Sequence, residues 1–526
     1  MEKRAFIAVA LSFVILITWQ YFVLSPKIVT LESQGQGQEG VTLKSNGASQ
    51  NATEVTNRQI ETPTTSAEPT DKVNELAPPE HATSARFITI ETPLYKATFT
   101  TRGAVPDSFE LKNYTDENGK GISLLRAGSK VPALAMGDSR DFVFAKYDFK
   151  TTAESITLKD NDTAELVFTF EQNGVSIRRT YKFSGNSRRI DLKDDTTGLR
   201  EYYITTGSDF GIFGTEGVGT HVGSVILQEA DRVDFQDNDD INDVKTYMQN
   251  IKWVAQEDKY FCAAILPTSN DDEAIAWKKD GDVLVALRTN RAVNNFIIYA
   301  GPKKYDDLKL ISPSLVDVID FGFFSIVAWP IFWILLYLDG FIKNYGWSII
   351  ALTILVRVPF IPLVNKGQRS MKKLQKLKPL MDELRERYKK DPQKMQKETM
   401  ELYRKHKVNP MGGCLPILIQ IPVFFALYKV LFIAIELRGA PWMFWIKDLS
   451  MKDPYYVLPI IMGASMFIQQ KMTPTTMDPM QAKIMNLMPI IFTFMFLSFP
   501  SGLVIYWLVS NVLSISQQYY INNKAE

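Results

Sequence analysis

Cysteine, histidine and, within its apolar runs, acidic side chains are what this sequence has least of. Cys262 and Cys414 are the only two cysteines in 526 residues, too few for a disulfide framework. His81, His221 and His406 fall in three separate segments, so neither a zinc site nor a histidine-based catalytic dyad has support, and no metal or cofactor is expected. The glycine-rich stretch GIFGTEGVGTHVG (211–223) lacks the Gly-Lys-Ser/Thr ending and the following helical pattern of a phosphate cradle, and reads as an ordinary loop. With other enzyme signatures missing as well, the chain is not expected to be an enzyme. No aromatic residue occurs from Val23 to Arg86, where Gln, Gly, Ser, Thr and Pro prevail. Such a segment cannot bury a core, so 25–85 reads as a flexible tether.

Against these absences stand five apolar regions of membrane-spanning hydrophobicity or close to it: 6–24, 346–365, 414–435, 455–469 and 484–521. They make an integral membrane protein of a chain whose average composition, 59 basic against 58 acidic residues, would suit a soluble one. The first run follows MEKR without a small-x-small cleavage site or a lipobox cysteine, and 1–24 reads as an uncleaved signal anchor. The last is broken by FPSG (499–502), which predicts two spans joined by a tight external turn. From Phe87 the apolar period becomes two. Leu166, Phe168 and Phe170 lie on one face, Val175, Ile177, Tyr181 and Phe183 follow, and Asn173-Gly174 predicts the hairpin turn between them. The same texture continues to about residue 310, giving an all-β domain over 86–310.

Topology follows from charge. Residues 366–409 carry fifteen Lys and Arg against six Asp and Glu, which places the 366–410 segment in the cytoplasm. MEKR puts the N-terminus there too, so the β domain is external and 346–365 returns inward. Residues 321–346 must then cross an even number of times, most simply zero, and 311–345 reads as a linker and an interfacial helix on the outer face. Four further spans over 411–521 bring the total to six, with a short tail, 522–526, inside. In the basic segment Met371, Leu374, Lys378, Met381, Leu384 and Tyr388 follow helical spacing, KKDPQK turns the chain, and Met395, Met400 and Tyr403 continue it. This predicts a helical hairpin that is either a solvated charged pair or a docking surface for anionic headgroups, ribosome or targeting factors.

Within GWSIIALTILVRVPFIPLVN (346–365) lies Arg357, a residue that costs about 2.5 kcal/mol or more at mid-membrane. Other polar residues in the predicted spans are Thr353, Gln420, Gln469, Asn511 and Gln517, while Lys429 lies toward an outer end and no Asp or Glu falls in any span core. An arginine without a counter-ion fits a water-filled cavity where an acidic group arrives from elsewhere. Pro359, Pro362, Pro416 and Pro422 bend two spans and can open one.

The stretches NPMGGCLPILIQIPVFFALY (409–428), DPYYVLPIIMGASMFIQQKM (453–472), DPMQAKIMNLMPIIF (478–492) and FPSGLVIYWLVSN (499–511) resemble the YidC/Oxa/Alb family of membrane protein insertases. The resemblance covers roughly 320–521, and the anchor, tether and β domain match its Gram-negative form. It implies a bacterial inner-membrane protein with a periplasmic β domain of the β-supersandwich type, and five C-terminal spans around a groove open to cytoplasm and lipid. It further implies nascent membrane proteins and the Sec translocon with its accessory subunits as partners, and no sequence-specific nucleic acid. Arg357 matches the groove arginine, Thr353 and Tyr506 match substrate-contacting positions, and Gln420 matches a polar groove position. Trp507 stands where a Tyr is often found, and Asn511 is taken as a further groove residue. The chain ends at INNKAE without the long basic tail some relatives use for ribosome docking. A channel or transporter for anions, the alternative, would be expected to show inverted repeats, and none is evident.

Overall fold

The computed structural model describes residues 85–524, apart from 117–118, 126–128, 215–219, 236–240, 242, 390, 407, 409–414 and 473–478. The expected anchor, nearly all of the tether, His81 and Cys414 lie outside the described residues.

The N-terminal half is a β domain built on an eight-stranded sheet. In hydrogen-bonded order its strands are Asp231–Phe235, Gly223–Gln228, Ile251–Glu257, Phe261–Pro267, Val293–Pro302, Arg189–Thr197, Val175–Ser184 and Thr163–Gln172. The last two pair in register from Thr163↔Ser184 to Gln172↔Val175. Only Asn173 and Gly174 are left to turn, both at positive φ (51° and 81°), the requirement of a two-residue hairpin loop. Two five-stranded sheets cover one face of this sheet. One contains Phe87–Glu91, Tyr95–Thr100 and Val105–Thr115; the other contains Glu273–Lys279, Asp282–Thr289 and Tyr202–Thr205. Ile90, Phe99, Phe168, Tyr181, Ile204 and Val285 meet in the resulting core. Across it Arg179, wholly buried, grips Asp194 with two nitrogens at 2.9 Å, gives Nη1 to the Leu134 carbonyl at 2.8 Å, and shares Asp194 with the Tyr202 hydroxyl.

The strands Ile251–Glu257 and Phe261–Pro267 are buried along nearly their whole length, on both faces. Their second face, with Trp253, Cys262, Ala264 and Tyr299, packs not against another sheet but against helices, in one cluster that runs on into the C-terminal half. The contact begins at α1 (Tyr305–Ile311) and the apolar α2 (Ser325–Ile342), whose Phe332 and Trp329 stack around Phe321 and Tyr305. The opposite side of α2 exposes Ile326, Trp333, Tyr337 and Phe341, an apolar stripe left open by the described residues.

The remaining helices are α3 (Tyr345–Arg357), α4 (Ile361–Lys376), α5 (Lys378–Arg387), α6 (Pro392–Lys405), α7 (Leu415–Ile433), α8 (Val457–Met472), α9 (Pro479–Phe496) and α10 (Ser501–Lys524). Among the described helices, Gly322–Ile342 and Tyr345–Lys376 are long and apolar enough to cross a membrane; Gln420–Ile433 and Met485–Phe496 are shorter apolar pieces. Length alone would therefore let α2 cross. The chain from Tyr345 also does not stop near residue 365. A single 3-10 turn, Val358–Phe360, links α3 to α4, and the helix runs to Lys376 because Lys, Gln, Arg and Met are good helix formers. It breaks at Leu377, just before Pro379, and Asp391 caps α6 by accepting from the Lys394 N–H at 3.1 Å. α10 packs along α3, α4, α7 and α8, which makes it the central strut of the helical core.

Candidate functional site

Where α10 meets the α3–α4 joint, the helices leave a small cavity lined by Thr353, Val356, Arg357, Phe360, Ile361, Val364, Gln420, Val423, Tyr506 and Gln517. Four helices and the 3-10 turn supply these residues, and the prolines explain why the wall opens there. Pro359 has no N–H for the Leu355 carbonyl, and Pro362 sits in the first turn of α4, so the helix tightens into a 3-10 turn directly after Arg357. Arg357 is thus the last residue of α3, where the helix dipole favours a cation. About twelve residues at 1.5 Å separate it from the start of that helix, a depth of roughly 18 Å.

Arg357 is half-buried, and its Nη2 donates to Ser514 Oγ at 2.7 Å. No carboxylate occurs among the described residues that line the cavity. The nearby polar groups are all neutral. Thr353 Oγ1 gives its own hydrogen to the Ile349 carbonyl at 2.6 Å and can only accept from the cavity side. Gln420 is hydrogen-bonded to the Tyr506 hydroxyl. Gln517 Nε2 donates to Asn365 Oδ1 at 2.6 Å and to the Ile361 carbonyl at 3.3 Å, tying α10 to the start of α4.

Four of the six residues singled out from the sequence, Thr353, Arg357, Gln420 and Tyr506, therefore share one cavity. Trp507 and Asn511 do not line it. One residue along a helix is a rotation of about 100°, and Trp507 is turned into an aromatic cluster with Phe424, Phe492 and Phe496. Asn511 is buried between helices, where its Nδ2 donates to Ser465 Oγ at 3.0 Å and joins α10 to α8. Sequence reasoning missed Ser514 altogether. The signal available was the α10 stripe Tyr506, Ser510, Ser514 and Gln517, spaced by three and four residues. No group of three or more His, Cys, Asp or Glu residues able to hold a metal occurs among the described residues.

A second cavity opens between the β domain and the helix ends that face it, lined in part by His221, Glu257, Lys259, Lys303, Asp320, Lys429 and Glu436. Glu257 is paired with Arg232 at 2.5 Å and Lys303 at 2.9 Å. Glu436, just beyond α7, accepts from the Tyr305 N–H at 3.2 Å, and its neighbour Ile435 is buried in the β-domain core. Burial pushes the Glu436 carboxyl up to about 7, while hydrogen bonds from its own backbone and from Tyr305 pull the other way. This is a joint between two packed units, rich in charges of both signs.

Comparison with known proteins divides the chain within α2. Residues 87–334 match the family described as the YidC periplasmic domain, and residues 337–526 match the 60Kd inner membrane protein family. The membrane protein insertase YidC of Geotalea daltonii is 39% identical over 547 residues, 99% of each chain, and that of Syntrophus aciditrophicus is 39% identical over 558 residues, 100% of each. The same-named protein of Geobacter sp. strain M21 is 42% identical over 464 residues, 84% of this chain and 86% of its own. Among solved structures, an active YidC insertase with its first transmembrane domain resolved is 19% identical with a TM-score of 0.39, covering 85% of this chain and 95% of that one. A galactose mutarotase related enzyme from Lactobacillus acidophilus covers 41% of this chain and 97% of its own, at 10% identity and a TM-score of 0.28. Matched along both halves and aligned end to end with relatives well above 30% identity, the chain belongs to the YidC family of membrane protein insertases.

Proposed function

We propose that this chain inserts nascent proteins into the bacterial inner membrane and helps them fold, alone or with the Sec translocon, and that the Arg357 cavity is the groove that receives them. The observation that carries this reading is a half-buried guanidinium whose hydrogen-bond partner is a neutral hydroxyl, in a cavity whose described lining holds no carboxylate. A cation satisfied by neutral acceptors keeps its charge, and that charge is available to an acidic group on an incoming segment. The polar wall of Thr353, Gln420, Tyr506 and Gln517 shortens the apolar barrier that the hydrophilic end must pass. The apolar remainder then leaves for lipid, gaining about 0.8 kcal/mol per CH₂ transferred. Each step uses binding and transfer alone, without nucleotide chemistry.

In this arrangement the chain has six spans with both termini in the cytoplasm and a periplasmic β-supersandwich. α2 lies along the outer interface, held on one side by Tyr305 and Phe321 of the β-domain junction and offering Ile326, Trp333, Tyr337 and Phe341 to lipid on the other. The basic helices α5 and α6 face the cytoplasm as a surface for anionic headgroups, ribosome or targeting factors, and the β domain meets accessory subunits of the Sec translocon. The test is reconstitution of the purified chain in lipid vesicles with a small two-span substrate, anion flux being followed in parallel. Protease-protected insertion without anion flux is expected; flux without insertion would replace this reading with that of a channel.

A further inference from the structure

We propose that Ser514 is a positioning residue for the groove cation, aiming the Arg357 guanidinium into the cavity without cancelling its charge. This rests on the reading of that cavity as the site where acidic segments arrive. The Ser514 hydroxyl donates to the Ser510 carbonyl of its own helix at 2.9 Å, so its hydrogen is committed and its oxygen faces Arg357 as an acceptor. An arginine at the end of α3 has several free rotations, and a fixed acceptor 2.7 Å from Nη2 selects among them. A carboxylate at the same place would hold the guanidinium more tightly, yet it would neutralise the charge that an acidic segment needs to meet. A hydroxyl positions without neutralising.

The setting reinforces this. Three residues further along α10, Gln517 holds Asn365 and Ile361 at the start of α4, just beyond the 3-10 turn. The two contacts from one helix therefore hold the chain before and after that turn, and Arg357 is the residue that enters it. Ser514 thus acts through Arg357, not on the incoming chain.

The experiment uses the full chain in vesicles, with Ser514→Ala, Ser514→Thr, Arg357→Ala and the double variant Ser514→Ala/Arg357→Ala. Two matched substrates differ only in acidic versus amide-neutralised translocated ends. Loss of a hydrogen bond to a charged group predicts that Ser514→Ala lowers the ratio of acidic to neutral insertion about tenfold. Ser514→Thr, which keeps the acceptor, restores the ratio, and the double variant is no less selective than Arg357→Ala alone. Thermal midpoints, measured on every variant, separate this from loss of fold. An equal fall for both substrates, a further fall in the double variant, or an unchanged ratio in Ser514→Ala while Arg357→Ala lowers it would overturn the positioning role. If Arg357→Ala leaves the acidic-to-neutral ratio at its native value, the groove reading itself fails, and the inference fails with it.

Discussion

Arg179 in the β domain and Arg357 in the helical core are both drawn out of bulk water, but among the described residues only the first is given a carboxylate. Arg179 is sealed between sheets, where Asp194 takes two of its nitrogens and Leu134 a third. Arg357 lines a cavity and has Ser514. A charge confined in a dry core is tolerable only when paired and fully hydrogen-bonded. A charge beside a wet cavity can stay uncancelled, at the cost of needing neutral acceptors to orient it. The contrast separates an arginine that joins sheets from one that, in the function proposed above, is kept for an arriving group.

The largest effect expected from this comparison is in the β domain. Asp194→Ala leaves Arg179 buried without its counter-charge and should lower unfolding stability by about 3–5 kcal/mol, read by denaturant or thermal unfolding of the purified chain. Replacing both partners by apolar residues of similar volume should recover much of that loss. A change below about 1 kcal/mol for the single substitution would mean that water reaches the pair, and the contrast with Arg357 would weaken.

A smaller effect is expected at the joint between the two regions. The Glu436 carboxyl, raised to about 7 from its ordinary value near 4.5, favours its proton in the packed state. The sign follows directly. Below about pH 4.5 the group is protonated whether packed or not, and as pH rises toward 7 its ionisation increasingly opposes packing. Stability should therefore decline through that window in the native chain and decline less in Glu436→Gln, as judged by midpoints from pH 5 to 8. Parallel curves for the two proteins would show that the carboxyl is not buried enough to matter.

How much of this was legible beforehand depends on the range of the interaction concerned. Asn173-Gly174 carries its own turn, and FPSG its own break between α9 and α10, because both are decided by local backbone chemistry. Helical spacing puts Thr353 one turn before Arg357, and the family resemblance is what made it a groove residue. Ser514 could not, since a serine inside an apolar helix reads as filler until the packing of α10 on α3 shows which way it faces. The same rotation that brings Tyr506 to the cavity sends Trp507 and Asn511 elsewhere, to aromatic and serine neighbours supplied by other helices. The helix-covered second face of the eight-stranded sheet was hidden for a similar reason. An apolar run such as FCAAILP announces burial on both sides but not what lies across it.

The most direct test of the central claim is the insertion of matched acidic and neutralised substrates by Arg357→Ala and Arg357→Lys, with protein abundance and thermal midpoint measured alongside. Arg357→Ala should depress insertion of the acidic substrate, spare the neutral one and leave the midpoint nearly unchanged, because no buried carboxylate loses its partner. Arg357→Lys should retain most activity, since a point charge is enough in a wet cavity, whereas a bidentate structural clamp would need the guanidinium fork. Equal loss for both substrates, or a collapse in folded protein, would contradict the account and assign Arg357 to the scaffold.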